Sequence, residues 1–203
     1  AMPDQVDYVI NGGLHGILAF GSNGEFYQIE EEEMERGFKI MVDQAAGRVP
    51  VYFGIGAINT KKCVRLAKMA VANGAAGISI LQPMFLKPNF NELFLHFKTI
   101  AEAVPETPII MYNVPSRTGC NIQPATAVAL AKNVKNIVGI KAASGDLSQI
   151  ATMMSMADGC IELYSGNDDQ VLPILSLGGL GVISVLSNVA PKETHDMVMK
   201  FFE

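Results

Sequence analysis

Seven short apolar runs alternate with amphipathic stretches along the chain: GILAF (16–20), PVYFG (50–54), GISIL (77–81), PIIMYN (108–113), NIVGIK (136–141), CIELYS (160–165) and GVISV (181–185). The runs are mostly continuous rather than alternating and are rich in Ile and Val. Strands buried on both faces of a parallel sheet have this signature. Between them the spacing predicts helices over Glu30–Ala46, Thr60–Asn73, Asn91–Ala103, Gln123–Lys132, Asp146–Met156, Asp168–Leu177 and Pro191–Phe202. Four consecutive acids suit the N-terminus of the first of these through the helix dipole. Thr60 is a cap-type residue, and Gly74 is a stop. A short helix over Asp4–Asn11, ended by Gly12-Gly13, precedes the first strand.

Regular βα alternation means a parallel sheet with helical crossovers, either an open doubly wound sheet or a closed barrel. No G-x-G-x-x-G follows a strand, and GIGAIN (54–59) matches only superficially, so the dinucleotide-binding form gains nothing. One helix followed by seven strand–helix units reads instead as a (β/α)8 TIM barrel whose first strand is missing. The 203 residues favour one domain, expected to be incomplete.

Composition narrows the function classes. Hydrophobic residues make up 49% and charged residues 17%, enough for a large core and too little charge for a disordered chain. A net charge of −5 gives no general attraction for nucleic acid or an anionic membrane, so neither is expected as a partner. No apolar run approaches the roughly 18 residues of a spanning helix. Cys63, Cys120 and Cys160 form neither a disulfide framework nor a C-x-x-C pair, and reduced cysteines near a core fit a cytoplasmic protein. His15, His96 and His195 lack metal-ligand spacing and read as structural or exposed.

In a barrel of this kind the chemistry sits at the C-terminal strand ends. Those ends hold Gly21-Ser22-Asn23-Gly24-Glu25, Tyr112-Asn113, Lys141, Ser165-Gly166 and Ile183. Lys141 closes the apolar run NIVGIK. It is either a surface lysine with a salt bridge or an amine kept dry enough to lose its proton and attack a ketone. Tyr112 is either an aromatic cap or a proton relay. Arg117, five residues on, is an exposed loop arginine or a bidentate carboxylate ligand. The turn from Gly21 to Glu25 is ordinary βα punctuation or an anion cradle built on Ser22 and backbone N–H groups. Asp168-Asp169 read as a helix start rather than a metal site.

In order, GSNGE, YNVPSRTG, GIKAASGD, YSGNDD and GGLGVISVLSN resemble the dihydrodipicolinate synthase and N-acetylneuraminate lyase family over nearly the whole chain. The resemblance implies that helices are missing beyond the C-terminal end as well. It implies a pyruvate-dependent Schiff-base lyase in which Lys141 bonds to pyruvate or another 2-oxo acid and Tyr112 shuttles protons. Ser22 and Asn23 would take the oxo acid's carboxylate, with Ser22 keeping a hydroxyl for the relay. Arg117 would hold a carboxylate of the aldehyde substrate, while Gly166 and the Ile183 backbone would line the pocket. Arg117 favours the branch that condenses pyruvate with aspartate semialdehyde, giving the lysine precursor hydroxytetrahydrodipicolinate. No metal or organic cofactor is implied, because the lysine supplies the electron sink. A homotetramer or dimer is implied.

Some residues depart from that branch. Asn23 replaces a Thr, and Phe85 stands where a neighbouring subunit contributes a tyrosine. GSNGEF followed by Tyr27-Gln28 resembles the aldolases of 2-keto-3-deoxy sugar acids, which makes an aldolase the alternative. A non-catalytic metabolite-binding barrel is a further one.

Overall fold

In the computed structural model, which describes residues 1–203, seven parallel strands lie in the order β1-β2-β3-β4-β5-β6-β7 and form a curled half-barrel. The strands are β1 (Ile17–Ala19), β2 (Val51–Ile55), β3 (Gly77–Leu81), β4 (Ile109–Asn113), β5 (Ile137–Ala142), β6 (Glu162–Ser165) and β7 (Gly181–Val182). The helices are α1 (Met2–Asn11), α2 (Glu31–Ala45), α3 (Thr60–Ala72), α4 (Phe90–Glu102), α5 (Pro115–Thr118), α6 (Pro124–Asn133), α7 (Leu147–Ala157), α8 (Val171–Ser176) and α9 (Pro191–Phe202). β7 does not pair with β1, so a seam separates the two edge strands.

Local chemistry sets the helix starts. Asn59, not Thr60, caps α3, its Oδ1 accepting from Lys62 N at 2.7 Å. α4 opens with a reciprocal box: Asn89 Oδ1 accepts from Glu92 N at 3.1 Å, and Glu92 Oε2 accepts from Asn89 N at 2.8 Å. Asp146 caps α7 through Gln149 N at 2.9 Å. The stretch from Asp168 is a three-residue 3-10 turn followed by the short α8 rather than one helix. α5 has no counterpart in the apolar periodicity, because four residues are too few to show one.

The two faces of the sheet do different work. The outward side chains of Phe53, Ile78, Ile80, Ile109, Met111 and Leu163 are fully buried under the helices, and Phe38 of α2 meets Phe53 edge-on with centroids 5.0 Å apart. The inward face carries the polar set. The register aligns Tyr52 with Gly77, Gly139 with Glu162, and Tyr112 with Lys141 and then Tyr164. Tyr164 Oη donates to Glu162 Oε2 at 2.9 Å. Glycine makes room for this lining. A Cβ at Gly77 would come within 2.2 Å of the Tyr52 ring, and one at Gly139 within 2.8 Å of the Glu162 carbonyl oxygen.

Across the seam, Gln5 Nε2 donates to Asn188 O at 2.8 Å and Tyr8 Oη to Val189 O at 2.9 Å, so α1 ties the first part of the chain to the last. No helix is long and apolar enough to cross a membrane.

At Gly139 the obstacle is main chain, which cannot swing aside. Gly139→Ala is expected to cost about 1–3 kcal/mol, measured as a lower urea midpoint than the parent's with an unchanged slope.

Candidate active site

The ends of β4, β5 and β6 and the loops after β1 and β7 meet around one amine. Lys141, on β5, is only 5% exposed. Its Nζ makes no hydrogen bond or ion pair with the protein. Instead it lies over the Tyr112 ring, 4.3 Å from the centroid. Burial pulls its pKa down from 10.5 to about 8, against a smaller opposing pull from the Asp168 carboxylate. A substantial share of this amine is therefore neutral near pH 8, unlike an ordinary surface lysine.

Tyr112 Oη and Ser22 Oγ are 3.2 Å apart, so the two hydroxyls form a pair beside the amine. Ser22 reaches this place because β1 ends at Ala19, Phe20 and Glu25 adopt left-handed backbone (φ 55° for each), and Ser22–Gly24 form a single 3-10 turn. Gly166 stands directly behind the lysine. A Cβ there would sit 3.1 Å from Lys141 Cγ and 2.7 Å from Ala143 Cβ. Glycine avoids a clash with Ala143 and a tight contact with the lysine stem.

A cavity of about 720 Å³ runs down the inside of the sheet and along the seam. Lys141, Ser22, Asn23 and Ile183 line it, as do Ser79, Ile110 and Tyr164. The Ile183 amide donates to Ser165 O at 2.9 Å, which extends the β6–β7 pairing past the two residues of β7. Thus Lys141, Tyr112, Ser22, Asn23, Gly166 and Ile183 come together. Tyr112 and Gly166 lie against the lysine without entering the cavity lining, and Arg117 is also outside it, exposed on α5 with no ion pair.

The segment carrying Arg117 is nonetheless fixed at its base. Asn113 Oδ1 accepts from Gln82 Nε2 (3.0 Å) and from Ile122 N (3.0 Å), and Asn113 Nδ2 donates to Asn121 Oδ1 (2.9 Å). Asn121 Nδ2 in turn donates to Gln149 Oε1 at 2.6 Å. This chain of amides ties β3, β4 and α7 together beneath the loop.

Sequence reasoning missed Ser79 and Asp168. Ser79 is buried in the cavity wall with an unpaired hydroxyl, and its signal was a lone polar residue inside GISIL. Asp168, taken as a helix start, reaches across to the loop after β7. Its Oδ2 accepts from Val185 N at 3.1 Å and Leu186 N at 3.0 Å.

The sequence profile of the dihydrodipicolinate synthetase family matches residues 1–203. A 4-hydroxy-tetrahydrodipicolinate synthase of Clostridium tetani is 44% identical over 196 residues, 97% of this chain and 66% of that protein. One from Clostridium perfringens (strain SM101 / Type A) is 45% identical over 97% of this chain and 67% of its own length. The chain thus spans about two thirds of these relatives. Among solved structures, dihydrodipicolinate synthase from Aquifex aeolicus superposes with a TM-score of 0.96 at 34% identity, covering 99% of this chain and 68% of that one. That from Thermotoga maritima gives 0.95 at 36% identity, covering 98% and 68%.

The buried amine carries a stability cost with a defined pH dependence. Its folded pKa lies below its unfolded one, so the unfolded chain binds the extra proton between about pH 8 and 10.5, and stability rises with pH across that window. Lys141→Met is therefore expected to gain about 2–3 kcal/mol at pH 7. The gain should shrink as pH rises past the folded pKa. Urea unfolding at the two ends of the window checks both.

Proposed function

The chain belongs to the dihydrodipicolinate synthetase family, and on that premise we propose that it is a class I lyase that condenses pyruvate with aspartate semialdehyde to give hydroxytetrahydrodipicolinate. One observation carries the reading: a buried amine with lowered pKa lies beside a tyrosine–serine hydroxyl pair and opens on a cavity.

The chemistry follows from those positions. Neutral Lys141 Nζ adds to C2 of pyruvate. The resulting carbinolamine loses its oxygen as water and leaves a cationic imine. That cation draws electrons from C3, which gives up a proton and becomes the enamine nucleophile. Tyr112, paired with Ser22, moves the protons. Asn23 and the loop from Gly21 hold the pyruvate carboxylate, and the Ile183 backbone forms the opposite wall. Gly166 leaves the lysine its path. C3 then attacks the carbonyl of the semialdehyde, whose carboxylate is held by Arg117, and the carbonyl oxygen takes a proton through the Tyr112–Ser22 pair. The semialdehyde's own amine closes on C2 and expels Lys141 Nζ, which frees the cyclic product and restores the amine. The unpaired guanidinium of Arg117 is free to meet an anion arriving from solvent.

The seam between β7 and β1 is the place of an eighth strand completing a (β/α)8 barrel. Cytoplasmic location suits unpaired cysteines, two of them buried. Phe85, 90% exposed and with left-handed backbone at φ 71°, is proposed to be covered by a second copy in a dimer or tetramer. It has no hydroxyl, so the relay ends on water at that point. Sedimentation should find an oligomer that Phe85→Asp shifts toward the monomer; a monomeric parent would refute the assembly.

An aldolase acting on 2-keto-3-deoxy sugar acids is the second reading, favoured by Asn23 and by Tyr27-Gln28 after the turn. Borohydride reduction in the presence of pyruvate is expected to add mass at Lys141, and no adduct would leave only a binding protein. Tyr112→Phe is expected to lower turnover about a hundredfold or more. Coupled assays decide the substrate: turnover of 2-keto-3-deoxygluconate with silence toward the semialdehyde ends the synthase reading.

A further inference from the structure

The guanidinium of Arg117 is exposed and makes no ion pair, so its main chain decides where it stands. That main chain is a short turn bonded within itself. Arg117 N and Thr118 N both donate to Val114 O, at 3.0 and 3.2 Å, and Gly119 N donates to Pro115 O at 2.9 Å. Thr118, itself buried, closes the far side: its Oγ1 donates to Cys120 O at 3.0 Å and accepts from Cys120 N at 3.2 Å. The direction in which this turn points depends on what grips its two feet, Asn113 before it and Cys120 after it.

Both feet meet one amide. Gln82, the residue after β3, is 1% exposed. Its Nε2 donates to Asn113 Oδ1 at 3.0 Å and to Cys120 O at 2.8 Å. The orientation is forced, because Cys120 O is a main-chain acceptor and only the NH2 group can face it. Ile122 N, a main-chain donor 3.0 Å away, fixes Asn113 Oδ1 in the same manner. Gln82 Oε1 is left pointing where no donor stands, buried and without a partner. An unpaired buried carbonyl is destabilising, and a Leu or Met side chain would fill the space without one. What the position supplies is therefore its two donors.

The bonds of Gln82 reach the arginine's turn and spare the lysine's surroundings. Tyr112 is paired in the sheet with Leu81 on one side and Lys141 on the other, and its hydroxyl meets Ser22, so its place does not depend on the Gln82 side chain. The turn from Val114 to Cys120 lies outside the sheet and has no such ladder. Its further tie to the β3 loop is Phe85 N donating to Thr118 O at 3.1 Å. We infer that Gln82 is a positioning residue for the second substrate: by joining Asn113 to Cys120 it holds the Arg117 turn where a carboxylate entering from solvent is met, and it leaves the imine chemistry untouched. The inference rests on the reading above in which Arg117 binds that carboxylate, and it extends that reading to a residue outside the cavity lining.

The test compares four forms of the full-length protein: the parent, Arg117→Ala, Gln82→Met and the double variant. Gln82→Met keeps the length of the side chain and removes both donors. It is expected to raise the KM for aspartate semialdehyde about tenfold, because the carboxylate must then order the loop on binding. Its kcat, its KM for pyruvate and its borohydride-trapped adduct at Lys141 should match the parent's, a split that general loosening of the fold would not give. The double variant should show no further rise over Arg117→Ala, since Gln82 acts through the arginine. Should Gln82→Met fail to fold, Thr118→Val, which removes the hydroxyl from the same carbonyl of Cys120, is read in the same way. An unmoved semialdehyde KM in Gln82→Met, a rise additive with that of Arg117→Ala, or an equal rise in the KM for pyruvate overturns this inference alone. A parent without turnover of the semialdehyde, or an unmoved KM in Arg117→Ala, overturns it together with the reading on which it rests.

Discussion

Taking a primary amine out of water costs free energy, and no acceptor next to Lys141 returns it. That uncompensated burial is the constraint on which the upper part of the molecule depends. Burial brings the amine's pKa down to about 8, and no carboxylate forms an ion pair with it. A side chain on the next loop would crowd the stem, and the facing position is Gly166. The ring of Tyr112 gives the charged form a soft contact without trapping it, and leaves the Tyr112 hydroxyl free to meet Ser22. The outward face of the sheet, packed with fully buried Phe, Ile, Leu and Met, offsets the cost.

The division between the two faces of the sheet explains why glycine recurs inside it. Gly77 and Gly139 are register partners of Tyr52 and Glu162, and each clears the space that its partner or its partner's main chain occupies. Gly54 does the same for the chain leaving β1, since a Cβ there would sit 2.6 Å from the Phe20 carbonyl oxygen. That approach lets the left-handed Phe20 turn the backbone over β2 and deliver Ser22 to Tyr112. The site thus depends on missing side chains as much as on present ones.

The outward face made the architecture legible in the sequence. All seven apolar runs became strands in sequential order because helices bury that face continuously. Lys141 and Tyr112 were legible as polar groups at the ends of such runs. β7 was not: GVISV yields only Gly181–Val182, because past Ile183 the chain turns into the loop held by Asp168, and Val185 is already in helical backbone. Asp168 itself resembles any helix-starting acid, and nothing local announces partners 17 and 18 residues away. Arg117 lies on the loop after β4, and spacing alone could not show that it stands clear of the lysine's cavity.

The two strands that deliver the Ser22 and Ile183 loops are also the two at the seam. Ser22 follows β1 and Ile183 follows β7, and neither strand has a sheet partner on its outer edge. What holds them in the absence of that pairing is a set of side-chain bonds: Gln5 and Tyr8 of α1 to the carbonyls of Asn188 and Val189, and Asp168 to the amides just before them. These bonds lie at or near the surface, where each contributes little net stability. The distance between the Ser22 hydroxyl and the Ile183 wall therefore rests on those side-chain bonds. A strand bonded to both edges would fix it with main-chain ladders instead, and the precision of the lysine's surroundings then becomes a property of the closed sheet rather than of any residue in the site.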